Sequence, residues 1–353
     1  MNKPIIAGIQ QVGVGNPSVY EAWKWYRTAF AIDTPIFDEA ATAALMLPYT
    51  GGQPRDRHAV LAISMQGGGG MEIWQYTSRT PDYPAFEVQL GDLGIYAAKV
   101  KSKDVEATFE HLQAKKLDLM GGLSQMPNGQ SHCFVKDPYG NIFEVVPSDD
   151  WFANKKPSTG GMYGCIIGVT DMERSMNFYN KILGYDTVIY DKKGQFEDLA
   201  VLPGGDSIFR RVLLTHSQSR RGPFSKLLGK SEIELVQVEG RVPKKIFENR
   251  MWGDIGFIHL CYDIQGMSAM KSLCESLGHP FTVDSSNSFD MGEAAGHFTY
   301  IEDPDGTLIE FVETHKVPIA KKIGWYLNLK NRNPERPLPR WMLKALGLNR
   351  VKD

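Results

Sequence analysis

Two copies of one phrase constrain this chain more than anything else in it. Gly296 to Phe311 reads Gly-His-Phe-Thr-Tyr-Ile-Glu-Asp-Pro-Asp-Gly-Thr-Leu-Ile-Glu-Phe, and Ser131 to Glu144 reads Ser-His-Cys-Phe-Val-Lys-Asp-Pro-Tyr-Gly-Asn-Ile-Phe-Glu. Asp-Pro-x-Gly is turn chemistry: Pro fixes φ, Asp bonds its own backbone and Gly tolerates positive φ. A short β-prone run flanks the turn on each side, so each copy reads as a hairpin. In both, a glutamate (Glu144, Glu310) follows the aspartate by seven residues. Strand side chains alternate, which places Glu310 on one face with Leu308. An ionised carboxylate on such a face needs a partner, a metal or a pocket open to water.

A repeat must be read before any local feature. The 353 residues allow two domains, each with a core of its own. From Ile5 the pattern is a strand to Val14, then a helix from Ser18 as cap to Phe30 with Glu21 completing a capping box. Strands follow near Thr34–Phe37, His58–Met65 and Met71–Gln75. The same order restarts at Gly94, with a helix over Val105–Gln113, and ends in the first hairpin. It restarts at Met162, with a helix over Met172–Leu183 capped by Asp171 and strands over Glu197–Leu202, Val212–Thr215 and Glu232–Val238. It restarts once more at Gly256, with a helix near Met267–Leu277, and closes in the second hairpin. The chain is thus α+β, four βαβββ units, in which Tyr26 matches Tyr179, Glu72 matches Glu234, Ile95 matches His259 and Glu144 matches Glu310. Residues 151–161, rich in Lys, Pro, Ser and Gly, read as a linker between a first domain at 1–150 and a second at 162–315. Residues 316–353 form a basic C-terminal extension.

Four such units, with Trp-Tyr or Phe-Tyr on the first helix of each half and Asp-Pro-x-Gly-x-x-x-Glu hairpins, resemble the vicinal oxygen chelate superfamily over about residues 5–314. That family includes glyoxalase I, extradiol and hydroxyphenylpyruvate dioxygenases, and the fosfomycin and bleomycin resistance proteins. The resemblance implies glyoxalase-like domains with cup-shaped mixed sheets. It also implies a metal on a cup's inner face, held by residues of first and last strands. Carried over by position, the first-strand sites are Gln11 (Gln10 if the count slips by one), Ile95, Gly164 and His259. The last-strand sites are Glu72, Glu144, Glu234 and Glu310. Ile95 and Gly164 offer no ligand. Units 3 and 4 give Glu234, His259 and Glu310, whereas units 1 and 4 give a filled set of Gln11, Glu72, His259 and Glu310 that looks like the site of some glyoxalase I enzymes.

One imidazole with carboxylate and amide oxygens suits a single divalent Zn, Ni, Co, Mn or Fe(II). The resemblance then implies a metal-dependent lyase or isomerase on a small carbonyl or enediolate substrate, with Glu310 or Glu72 as the catalytic base. Two alternatives stand beside it. One is a non-haem Fe(II) dioxygenase, although the triad of those enzymes needs a histidine where this chain has Gly164. The other is a metal-free protein that binds a small ligand, as the resistance proteins do.

Composition narrows the remaining classes. Net charge is −2 and no domain-wide basic excess points to nucleic acid. No apolar run is long enough to span a membrane, and no leader is expected. Cys133, Cys165, Cys261 and Cys274 lack C-x-x-C spacing and read as reduced core thiols, so the expected compartment is the cytoplasm. Arg210, Arg211 and Arg221 flank the long loop of unit 3 and are candidates for closing over an anionic substrate, against the commoner reading of a solvated loop. His132, His216 and His297 fall near hairpins and read as surface residues. The C-terminal extension reads as a strap across the protein's own body, with contact to an anionic membrane surface as the alternative. Either a monomer or a homodimer is compatible with all of this.

Overall fold

Strand pairing joins the two ends of the chain. The computed structural model describes residues 3–286, 289–290, 295–320 and 324–351. Unit 1 comprises β1 (Ile5–Gly15), α1 (Val19–Phe30), β2 (Thr34–Thr42), β3 (Asp56–Ile63) and β4 (Gly70–Tyr76). Unit 2 comprises β5 (Gly94–Ser102), α2 (Val105–Ala114), β6 (Asp118–Gln125), β7 (Ser131–Lys136) and β8 (Ile142–Pro147). Unit 3 holds β9 (Thr159–Gly168), α3 (Met172–Leu183), β10 (Thr187–Gly194), β11 (Phe209–Thr215), the single turn α4 (Ser225–Leu228) and β12 (Glu232–Val238). Unit 4 holds β13 (Gly256–Gln265), α5 (Met267–Ser276), β14 (Val283–Asp284), β15 (Phe289–Asp290), β16 (Ala295–Glu302) and β17 (Leu308–Ala320). In the extension follow β18 (Trp325–Asn328) and α6 (Arg340–Ala345).

One sheet runs β14-β16-β17-β13-β1-β4-β3-β2, with β15 on β16 and β18 on β17. The other runs β10-β11-β12-β9-β5-β8-β7-β6. Both are curled mixed sheets, as expected of two glyoxalase-like halves. Their membership differs from the sequential division at 1–150 and 162–315. Unit 1 shares a sheet with unit 4, through β1 antiparallel to β13, and unit 2 shares one with unit 3, through β5 antiparallel to β9. In each unit the last strand lies parallel beside the first, which brings the glutamate-bearing strands to the middle of the sheet.

The recurring motif residues hold the sheets to each other. Tyr26, from α1 in unit 1, donates a 2.7 Å hydrogen bond to Asp137 in the turn of unit 2, and Tyr179 donates one of 3.0 Å to Asp303 in the turn of unit 4. In both turns the aspartate also accepts backbone N–H groups, Tyr139 and Asn141 in one and Asp305 and Thr307 in the other. Both tyrosines are fully buried in a core that takes apolar side chains from both sheets. Replacing Tyr26 and Tyr179 together by Phe is therefore expected to cost about 2–4 kcal/mol, because two buried carboxylates each lose a donor. Urea denaturation of the double variant against wild type checks this.

Several local expectations change. Ser18 occupies the N-cap of α1 without a side-chain capping bond, whereas Asp171 caps α3 by accepting from Arg174 N. The strand expected at Glu197–Leu202 is a 3-10 turn at Glu197–Leu199; the β-branched run Thr187-Val-Ile upstream forms the strand instead. All four cysteines are free and buried. The extension packs on the body as a strap through Leu338, Leu343 and Leu346. Lys321, Lys322, Lys352 and Asp353 of its charge count lie outside the described residues. Among the described residues, no helix is long and apolar enough to cross a membrane.

Candidate metal centre

The sheet of units 1 and 4 brings four polar side chains to one point. Gln11 comes from β1, Glu72 from β4, His259 from β13 and Glu310 from β17. His259 Nε2 lies 3.2 Å from Glu72 Oε2 and 3.2 Å from Glu310 Oε2. Gln11 Nε2 donates to the same two oxygens at 3.3 and 3.5 Å. All four side chains are buried. Gly13 makes the room: a Cβ there would come within 2.4 Å of the imidazole. On its other sides the ring stacks on Trp252, 13° from parallel, and meets the edge of Tyr300, whose hydroxyl is 3.4 Å from Nδ1. If Nδ1 carries the proton toward Tyr300, Nε2 presents a lone pair to the two carboxylates.

The electrostatics mark this cluster as incomplete. Glu72, Glu310 and His259 each offer a ligand atom within 4.8 Å of the others. His259 Nε2 and Gln11 Oε1 are buried without an aligned hydrogen-bond partner. Burial pushes Glu310 up, to about 7; His259 opposes this and Glu72 adds to it. Burial works on Glu72 too, but His259 and Arg57 outweigh it and hold that carboxyl below its usual range. Burial pulls His259 down, and Glu310 and Glu72 more than offset it. Two buried carboxylates and one imidazole offer ligand atoms close enough together for a divalent cation to bind between them, in competition with the protons they otherwise hold. The set of one imidazole and two carboxylates therefore fits such an ion, and Gln11, whose Nε2 faces the two carboxylates, would add its oxygen with the amide turned over.

The matching place in the other sheet is closed by the protein itself. Lys99 on β5 donates to Glu144 and, at 2.7 Å, to Glu234. Arg211 donates to Glu234 and to Asp198 at 2.7 Å each. His132 Nδ1 is 2.6 Å from Glu144, and its Nε2 is 3.4 Å from Asp198. Burial pulls His132 down, but Asp198 and Glu144 lift it to about 9, so three cations face three carboxylates. Of the three fates open to such a carboxylate, Glu144 and Glu234 thus have a partner, and His132 is no surface residue.

The remaining sequence candidates are placed as follows. Glu234, the alternative ligand, belongs to this closed cluster and not to the Gln11 site. Arg211 is buried in it, Arg210 pairs at the surface with Asp191 and Glu173, and Arg221 pairs with Glu335. None of the three arginines lines the cavity at the metal centre, so the anionic-substrate role expected of them has no support there. Ile95 is not the counterpart of His259. Lys99 faces Glu144 in the register where Cys261 faces Glu310, which makes Ala97 the match. Lys99 was missed because it sits in an apolar strand run; a lysine at an inward position opposite a repeat glutamate was the signal available.

The centre opens on a cavity of about 310 Å³ whose wall is mostly apolar and includes Trp74, Trp252 and Phe298. Comparison with known proteins agrees with this architecture. A family model described as the Glyoxalase/Bleomycin resistance protein/Dioxygenase superfamily matches residues 9–145. That stretch, units 1 and 2, carries the superfamily's sequence pattern. Among solved structures, glyoxalase I from Zea mays is similar at 14% identity and TM-score 0.54, over 87% of this chain and 92% of that one. A proposed dioxygenase from Bacillus subtilis is similar at 12% identity and TM-score 0.55, over 89% and 86%. At such identities these likenesses show the fold and no more. No curated protein matches the sequence.

Proposed function

We propose that Gln11, Glu72, His259 and Glu310 hold one divalent metal ion, and that the protein is a lyase or isomerase moving a proton on a carbon beside a carbonyl. The observation that carries this reading is the convergence of Glu72, His259 and Glu310 on one point at the head of a cavity, with Gln11 hydrogen-bonded beside them. An ion held there supplies a Lewis acid for a carbonyl or enediolate oxygen. Glu310 is the proton carrier, since its carboxylate stands in the cavity wall where a substrate carbon can reach it. Glu72, held below the usual range, stays an anionic ligand. Trp252 and Tyr300 fix the imidazole, and Trp74 with Trp252 keeps bulk water from the reacting carbon. The family resemblance to glyoxalase I supports this chemistry. The dioxygenase alternative is weaker because its triad takes two histidines and one carboxylate, whereas this set has one histidine and two carboxylates.

The test is exchange of the substrate carbon proton with deuterated solvent, followed by NMR over a panel of 2-hydroxyketones and hemithioacetals. Glu310→Gln is expected to slow exchange by about 10²–10⁴-fold, the usual worth of a positioned general base. Exchange equally fast in the variant would remove Glu310 from the mechanism. Oxygen consumption without exchange would favour the dioxygenase.

A further inference from the structure

The two stretches outside the four-unit pattern meet over the metal-centre cavity, and they bring apolar side chains to it. The loop at 216–230 crosses from the sheet of unit 3 and lays α4 on β1 of the other sheet. Leu228 packs so closely there that a Cβ on Gly8 would come within 2.7 Å of its own Cβ, and Leu227 O accepts from Gly68 N at 2.9 Å. The C-terminal extension clamps this loop. Leu338 N donates to Pro223 O at 2.8 Å, and beyond it Arg350 and Val351 are tied to Asp33. Phe224, Leu227, Leu228 and Leu346 belong to one buried apolar cluster, and all four stand in the cavity wall. Charged side chains in that wall are engaged by the protein: Arg57 donates to Glu39 O at 3.1 Å, and Lys316 lies 4.6 Å over the Tyr326 ring.

We propose that the substrate carries an alkyl or aryl body behind the carbonyl or enediolate end already assigned to it, and that the α4 loop and the turn at Leu346 set how large that body can be. The oxygen end rests on the metal-centre reading above. The apolar body rests on the cavity wall alone.

The test uses alkanohydroxamic acids of increasing chain length, whose head carries two neighbouring oxygens, and the primary amides of the same chains. Binding is titrated by calorimetry on the full chain, zinc-loaded and metal-free. The expected result is a gain of about fourfold in affinity per added methylene until the cavity is filled, in both forms of the protein. Phe224→Asp and Leu346→Asp are expected to cut that gain below about twofold for the longer chains. Leu346→Trp, which keeps the wall apolar, is expected to shift the optimum to shorter chains even if the Asp variants fail to fold. No gain with chain length in wild type, or an optimum that Leu346→Trp leaves in place, would overturn the proposal. Hydroxamates and amides binding alike, with or without zinc, would overturn the oxygen end and the metal reading, while a persisting chain-length gain would still support the apolar body.

Discussion

His259→Ala is expected to weaken divalent-metal binding by more than about 100-fold, since removing a group that only orients a ligand already costs 10–100-fold. His259 is the one nitrogen donor of the set, and its Nε2 faces both carboxylate oxygens at 3.2 Å. Its removal leaves Glu72 and Glu310 to repel each other beside Gln11. Elemental analysis after loading and dialysis should find one divalent ion per wild-type chain and a small fraction of that in the variant. Thermal unfolding gives a second readout: wild type should gain stability with added metal as mass action requires, and the variant should not. A wild-type chain that takes up no ion at neutral pH would sink the metal reading.

Lys99→Met is expected to cost about 3–5 kcal/mol of stability, the usual result of removing one member of a buried ion cluster. Methionine fills much the same space, so the loss would come from Glu144 and Glu234, which stay buried without the ammonium between them. Equilibrium urea unfolding measures the cost, and a loss below about 1 kcal/mol would show that the cluster relaxes by admitting water. The same cluster gives the protein a pH signature. His132, lifted to about 9 from an ordinary 6.5, contributes stability that is complete below about 6.5 and is lost as pH rises through 9. His132→Gln should flatten the fall of stability over that window.

The meeting of Gln11, Glu72, His259 and Glu310 was legible in the sequence because they occupy fixed places in a repeat. The Asp-Pro-x-Gly turns fix the distance to Glu144 and Glu310, and β-strand alternation then decides which way each carboxylate points. The tyrosines on α1 and α3 recur for a reason the sequence did not disclose, as partners of the turn aspartates on another unit. Ile95 was mismatched because counting between elements carries no information about register, and β5 bears an irregularity between Ile95 and Ala97. Arg211 looked like a substrate clamp because a sequence shows charge without showing its partners; Glu234 and Asp198 had already claimed it. The hydrophobic side of the unit 3 loop went unread for the same reason. Its arginines and lysines dominate the local composition, while Phe224, Leu227 and Leu228 face inward.

The pairing of β1 with β13 has a consequence for how the protein is made. Ile5 lies opposite Gln265 and Gly15 opposite Gly256, so β1 leaves the ribosome with its central neighbour still some 250 residues behind it. Units 2 and 3 follow each other directly and can pair as soon as β9 emerges, whereas unit 1 waits with β1 unpaired along one edge until β13 has been synthesised. A nascent chain stopped before Gly256 would carry Gln11 and Glu72 but neither His259 nor Glu310. The candidate site is thus a late product of folding, and a chain stalled before β13 is born without it.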